Sequence, residues 1–206
     1  MKVLMVNGSP VAKGCIATAF AIAKEEFAAA GVECKEVVVG NKDIRGCIAC
    51  GRCGELGRCT FDNDLVNECA PKLAEADGII IGSPVYYGNP NGTLLSFMQR
   101  LFYSSGVDLR MKVGASIVSC RRGGNSATFE ALNQFFGISG MPTVPSTYWN
   151  DVHGYKGEDV YTDEEGVQTI RNLARNMTFM MRAIADGAQE YGIPERNKEI
   201  FTNFIR

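Results

Sequence analysis

Residues 2–18 read KVLMVNGSPVAKGCIAT, and this stretch sets the fold class. The apolar run Lys2–Val6 has the length of one strand and stops at Asn7-Gly8-Ser9-Pro10, a cluster of turn formers. Beyond Gly14, Ile16, Ala19, Phe20, Ala23 and Phe27 recur at helical spacing until Gly31 breaks the pattern. A buried strand, a glycine-bearing turn and a helix make the first half of a βαβ unit.

The alternation continues to the end of the chain. Val37–Val39 reads as a second strand, and Leu65, Val66, Cys69 and Leu73 mark a helix that Asp64 can cap. Gly78–Ser83 is apolar throughout, as a strand covered on both faces requires. Leu94–Phe102 is helical, Val113–Ser119 a strand, Phe129–Phe136 helical, and Pro142–Trp149 is expected to be the fifth strand. A last helix runs from about Asp163 to Tyr191, with Thr162 and Glu165 as an expected capping box. Val167, Ile170, Leu173, Ala174, Met177, Met181 and Ile184 form its inward stripe, where the methionines read as core filler. Five strands alternating with five helices give an α/β doubly wound parallel sheet with helices on both faces. Ligands of such sheets bind beyond the carboxyl ends of the strands, where the winding reverses. The loops that matter are therefore 7–15, 84–93 and 120–126.

The chain's 206 residues suit one domain, expected over 1–192 with a tail at 193–206. A formal charge of −2 gives no long-range field toward nucleic acid or an anionic membrane. No apolar run is long enough to span a bilayer, and residues 1–6 lack a signal-peptide pattern, so a cytoplasmic location is expected. In that compartment eight cysteines point to metal, redox chemistry or burial rather than a disulfide framework.

The first loop offers the open N-terminus of a helix, with Ser9 and Thr18 as hydroxyl donors and Lys13 as a cation. Val11, Cys15, Ile16 and Ala17 complete this candidate phosphate cradle, whose alternative is a plain strand-to-helix turn. It is neither the triphosphatase loop nor a G-x-G-x-x-G dinucleotide turn. The third-strand loop, Pro84-Val85-Tyr86-Tyr87-Gly88-Asn89, can present flat rings to a flat heterocycle; alternatively both tyrosines pack on their own helix. In the fourth-strand loop, Arg121-Arg122-Gly123-Gly124 suits a polar ring edge or a phosphate, or is a solvated basic loop.

Several motifs together resemble the NAD(P)H-dependent FMN reductase group of flavodoxin-like proteins. They are Gly8-Ser9-Pro10, Gly46-Cys47-Ile48-Ala49-Cys50, Ala76-Asp77-Gly78 leading to Ser83-Pro84-Val85-Tyr86-Tyr87, and Gly124-Asn125-Ser126-Ala127-Thr128-Phe129. Within that group they are similar to the iron–sulfur flavoprotein branch. The resemblance implies a flavodoxin-like fold and non-covalent FMN reduced by NADH or NADPH. It also implies a small acceptor such as a quinone, flavin, azo or nitro compound, in a homodimer or homotetramer. The branch implies the alternative of an electron carrier exchanging electrons with a ferredoxin-like partner, although carriers of this fold are usually more acidic than this chain. Three positions depart from the group: Val11 stands where a basic residue is usual, Gln99 precedes Arg100 where an acid is frequent, and Cys15 replaces a small polar residue. FMN is expected rather than FAD or NAD, because one phosphate cradle is present without an adenosine fingerprint. No catalytic acid or base is named, since the cofactor carries hydride chemistry and the protein orients it.

Three further features stand apart. Cys47, Cys50, Cys53 and Cys59 follow the pattern C-x2-C-x2-C-x5-C, too compact for a zinc ribbon and like the closely spaced thiolates of 4Fe-4S sites. The branch implies one such cluster near FMN; the other reading is core or redox-active thiols. His153, the one histidine, is expected to be structural, with loop 148–156 as a possible wall of the substrate pocket. In the tail, Ile200, Phe201, Phe204 and Ile205 are spaced as one apolar face, expected at an oligomer contact or folded back on the domain.

Overall fold

The computed structural model describes residues 1–197, 200, 202 and 204. Five parallel strands, β1 (Lys2–Asn7), β2 (Glu33–Val38), β3 (Gly78–Pro84), β4 (Val113–Cys120) and β5 (Asp151–His153), lie in the order β2-β1-β3-β4-β5. This is the flavodoxin-like winding, and its direction reverses between β1 and β3. β3 and β4 are buried almost from end to end, which is why their sequences are apolar without alternation. β2, with the charged sequence ECKEVV, takes one edge, and the three-residue β5 takes the other. Short or charged edges discourage pairing with other chains.

The helices are α1 (Cys15–Ala29), the single turn α2 (Cys53–Leu56), α3 (Leu65–Glu75), α4 (Gly92–Ser104), α5 (Asn125–Ile138) and α6 (Glu164–Tyr191). Alternate residues of β1 feed the two cores. Val3 and Met5 pack with Ile16, Phe20 and Phe27 of α1 and with Ile170, Leu173 and Met177 of α6. Leu4 and Val6 pack with Leu73 of α3, Phe97 and Leu101 of α4, and Leu132 and Phe136 of α5. The expected stripe of α6 is the observed one, with Val167 and Ile184 at its half-buried margins. Arg171 and Arg175 of α6 both grip Glu26 of α1, at 2.7 and 2.8 Å.

Two expectations need correction. Pro142–Trp149 is not the fifth strand. Thr143 makes one parallel bridge to Gly114, but beyond Val144 the chain turns, with Ser146 Oγ bonded to Tyr148, so the ladder stops and resumes only at Asp151–His153. The cap of α6 is Asp163, whose carboxylate accepts from the Gly166 N–H at 3.0 Å, in place of the Thr162–Glu165 box. In the tail, Ile200 and Phe204 are exposed, while Phe201 and Ile205 lie outside the described residues. Among the described residues no helix is long and apolar enough to cross a membrane.

Candidate functional site

The chain leaves β1 through a loop knitted by its own side chains. Asn7 Oδ1 accepts from the Ser9 N–H at 2.9 Å, and Ser9 Oγ accepts from the Val11 N–H at 3.2 Å. Gly14 then opens α1 with no side-chain cap. α3, α4 and α6 are capped by Asp64, Asn91 and Asp163. α1 thus keeps its first-turn N–H groups free of any protein cap, at the end of the sheet where the winding reverses.

After β3, Tyr86 and Asn89 exchange both backbone hydrogen bonds, at 2.8 and 3.0 Å, across a two-residue turn. Its central residues, Tyr87 and Gly88, have φ of 52° and 74°, the primed geometry that closes a tight hairpin. Tyr87 is fully exposed and packs on nothing, while Tyr86 turns toward the end of α1. Gly124, at φ 88°, fits against this hairpin because a Cβ there would come within 2.8 Å of Val85.

These loops meet around one open recess of about 540 Å³. Of the expected residues it is lined by Ser9, Val11, Lys13, Cys15, Pro84, Val85, Tyr86 and Arg121. Ile16 is instead a core residue, and Thr18 Oγ1 bonds back to the Gly14 carbonyl. Ala17, Tyr87, Gly88, Asn89, Arg122, Gly123 and Gly124 stand outside the lining; Gly124 supports the hairpin from behind. The volume is on the scale of cofactor pockets, ~300–1,000 Å³. Its cations are Lys13, Arg121 and Lys156, with Glu158 as a carboxylate at the rim.

The segment 154–158 belongs to this site, and of it the sequence suggested only a wall at 148–156. A 3-10 turn, Gly157–Thr162, presses on the first loop so closely that a Cβ on Gly157 would lie 2.4 Å from the Lys13 carbonyl oxygen. The Cys15 thiol donates to the Lys156 carbonyl at 3.2 Å. Asp159 fixes the turn by accepting from the N–H groups of Lys156 and Tyr155, which hold its carboxyl below the usual range. Burial, then the charge of Asp159, pushes the Cys15 thiol up; burial, then Asp151, does the same for Cys120. Both recess cysteines are therefore protonated at neutral pH and poor nucleophiles, which fits a ligand held without a covalent bond.

His153 does not line this recess. It stands beside a neighbouring one with Trp149, Asp151, Asp163 and Glu165. Its backbone N–H donates to Asp163 Oδ2 at 2.7 Å, and its Nδ1 lies 3.4 Å from the same oxygen. It ties β5 to the start of α6.

The four expected metal ligands gather elsewhere. Cys47, Cys50, Cys53 and Cys59 line one small recess, of about 20 Å³, with Phe61, Arg100 and Tyr103. Ala49, Gly51 and Gly57 all take positive φ as the chain winds around it. The Ala49 N–H points at Cys47 Sγ, 3.4 Å away. Cys59 is fixed at both backbone atoms by the Asn67 side chain, at 3.0 and 2.9 Å. Among the described residues no three His, Cys, Asp or Glu side chains converge tightly enough to hold a single metal ion. Four cysteines lining one recess match a 4Fe-4S site in the number and type of donors. The two recesses share no lining residue.

Comparison with known proteins agrees with this geometry. The sequence profile of the NADPH-dependent FMN reductase family matches residues 1–156. An iron–sulfur flavoprotein of Methanocaldococcus jannaschii is 33% identical over 192 residues, covering 89% of this chain and 99% of its own. An iron–sulfur flavoprotein of Methanosarcina thermophila is 31% identical over 193 residues, covering 89% and 97%. Among solved structures, RosB with a bound 8-demethyl-8-formylriboflavin-5'-phosphate superposes with a TM-score of 0.73 at 16% identity, over 100% of this chain and 92% of that one. A flavodoxin from the domain Archaea superposes with a TM-score of 0.60 at 14% identity, over 88% and 99%. These two show the fold alone, but the profile and the sequence relatives go further: the chain belongs to the NADPH-dependent FMN reductase family, whose members are flavin oxidoreductases on the flavodoxin-like fold.

Proposed function

We propose that this flavin oxidoreductase holds FMN in the recess of the three loops and a 4Fe-4S cluster on Cys47, Cys50, Cys53 and Cys59, and passes electrons between them and a ferredoxin-like protein. The observation that carries the reading is that all four cysteines line one recess, which shares no lining residue with the recess of the three loops. The names of the relatives support it. When bound, FMN supplies exchange of one or two electrons and the cluster exchange of one.

The chain's own residues supply the rest. The uncapped first turn of α1, Ser9, Lys13 and Lys156 hold a phosphate. Tyr86 and Val85 give the ring a flat wall, and Arg121 offers a cation to its polar edge. The protonated Cys15 and Cys120 keep the pocket chemically quiet. Transfer of electrons between subunits of a homodimer or homotetramer would be a further part of this reading.

A second reading is favoured by the open face of the flavin recess. There NADH or NADPH would stack on the flavin as donor, and a small quinone, flavin, azo or nitro compound would follow it as acceptor. Anaerobic reduction separates the two. Bleaching by a reduced ferredoxin with about four irons per chain supports the first reading. Rapid bleaching by NADPH in protein carrying less than a tenth of that iron, after anaerobic reconstitution, supports the second. Protein that binds no flavin on reconstitution overturns both.

A further inference from the structure

We propose that Arg100 is the positioning residue of the cysteine recess: it anchors the sulfur of Cys59 and sets the reduction potential of whatever iron–sulfur group the four thiols hold. The inference rests on the cluster reading above and goes beyond it by assigning a residue that is not itself a ligand.

Arg100 is the largest of the fully buried side chains among the described residues, 2% exposed. A buried guanidinium is costly unless its charge and its five N–H donors are all matched. Here the match is divided. Nη1 faces the buried carboxylate of Asp64 and the Arg45 carbonyl at 3.3 Å. Nη2 reaches the Phe61 carbonyl at 3.1 Å. The remaining edge points at sulfur: Nε and Nη2 approach Cys59 Sγ at 3.3 and 3.2 Å. A neutral thiol is a weak acceptor, so a pair of charged donors suits the anionic sulfur that ligates iron. The Phe61 ring lies 5.6 Å from the same guanidinium and keeps water from this side. Cys47 and Cys50 are exposed and Cys53 is half-buried, so Cys59 is the fixed point against which the other three close.

Hydrogen bonds to the sulfurs, net charge and solvent exposure set the potentials of iron–sulfur groups. One-electron reduction adds a negative charge beside Cys59, and the guanidinium, which stays protonated, stabilises that added charge. Removing the Arg100 charge should lower the midpoint. Removing the Asp64 charge, which now opposes it, should raise it.

The test is an EPR-monitored redox titration of anaerobically purified holoprotein, with iron, FMN content and circular dichroism measured alongside. R100Q should reduce the equilibrium constant for cluster reduction about tenfold, a fall of about 59 mV for a one-electron couple. Should R100Q not fold, R100K decides, because its ammonium keeps Asp64 paired and leaves the sulfur without its two donors; it too should move downward. D64N, in which the asparagine still caps α3, should move upward. A role confined to folding predicts no such pair of opposite shifts. Iron-loaded R100K and D64N titrating within twofold of the wild type overturn this proposal and leave the cluster standing. Wild-type protein without iron after reconstitution overturns the cluster reading and this proposal with it.

Discussion

Gly157→Ala is the sharpest probe of the proposed phosphate end of the recess. The added Cβ would lie 2.4 Å from the Lys13 carbonyl oxygen and 2.8 Å from Thr18 Oγ1. An ordinary carbon–oxygen contact is about 3.3 Å, so the 3-10 turn must retreat by roughly 0.9 Å. Such a shift carries Lys156 with it and stretches a hydrogen bond of ordinary length beyond its useful range. Losing one charge-assisted hydrogen bond to a phosphate costs about 1.5–3 kcal/mol. The FMN dissociation constant should then rise by roughly tenfold to a hundredfold. Riboflavin, which has the same ring and no phosphate, should bind the variant and the wild type alike. Quenching of flavin fluorescence during titration of the apoprotein measures both ligands. Equal weakening of FMN and riboflavin would mean that this turn supports the ring and not the phosphate. No change in either would remove segment 154–158 from the site.

Asp64→Ala should cost about 3–5 kcal/mol of folding stability, because it strands the buried Arg100 charge and removes the carboxylate that caps α3. A urea-unfolding loss below about 1 kcal/mol would show that the pair is dispensable. Glu26→Gln should flatten the acid limb of the stability profile. Arg175, then Arg171, holds the Glu26 carboxyl below its ordinary value, so its stabilisation is complete above about pH 4.3 and is lost as the pH falls through the depressed value. Between pH 7 and pH 3 the wild-type urea midpoint should therefore drop further than that of the variant; parallel drops would contradict the assignment.

The central sheet was legible because its strands are buried on both faces. Gly78–Pro84 and Val113–Cys120 are long apolar runs bounded by turn formers, and no other element suits such segments. The fifth strand was not legible, for a physical reason. Pro142–Trp149 has the composition of a strand but turns at Ser146–Tyr148 after one bridge, while the true edge, Asp-Val-His, is three residues long with a buried aspartate. Asp151 is held there by the side chain of Asn125, a tertiary contact across more than twenty positions that no local pattern announces. Within segment 154–158, only 154–156 fell in the wall expected at 148–156; Gly157 and Glu158 escaped in the same way. Its glycines matter because the backbone of another loop lies against them, and sequence alone records a glycine without its neighbour.

The cysteine recess shows where such reading stops. The spacing of Cys47, Cys50, Cys53 and Cys59 suggested a common ligand, and the folded chain does bring the four to one recess. Nothing in the spacing pointed to Arg100. A signal was nonetheless present on its helix, where Leu94, Phe97, Met98 and Leu101 form the buried stripe. Arg100 falls three residues after Phe97 and four before the buried Ser104, so it stands on the same inward side. A charge on that side must find buried partners, and Asp64, already readable as the cap of α3, could supply only one edge of a five-donor fork. The unanswered edge implied a second acceptor. Its identity as a sulfur followed only once α4 was seen to pack beside the cysteine loop, because the chain between Cys59 and Arg100 passes through α3 and β3 before returning to it.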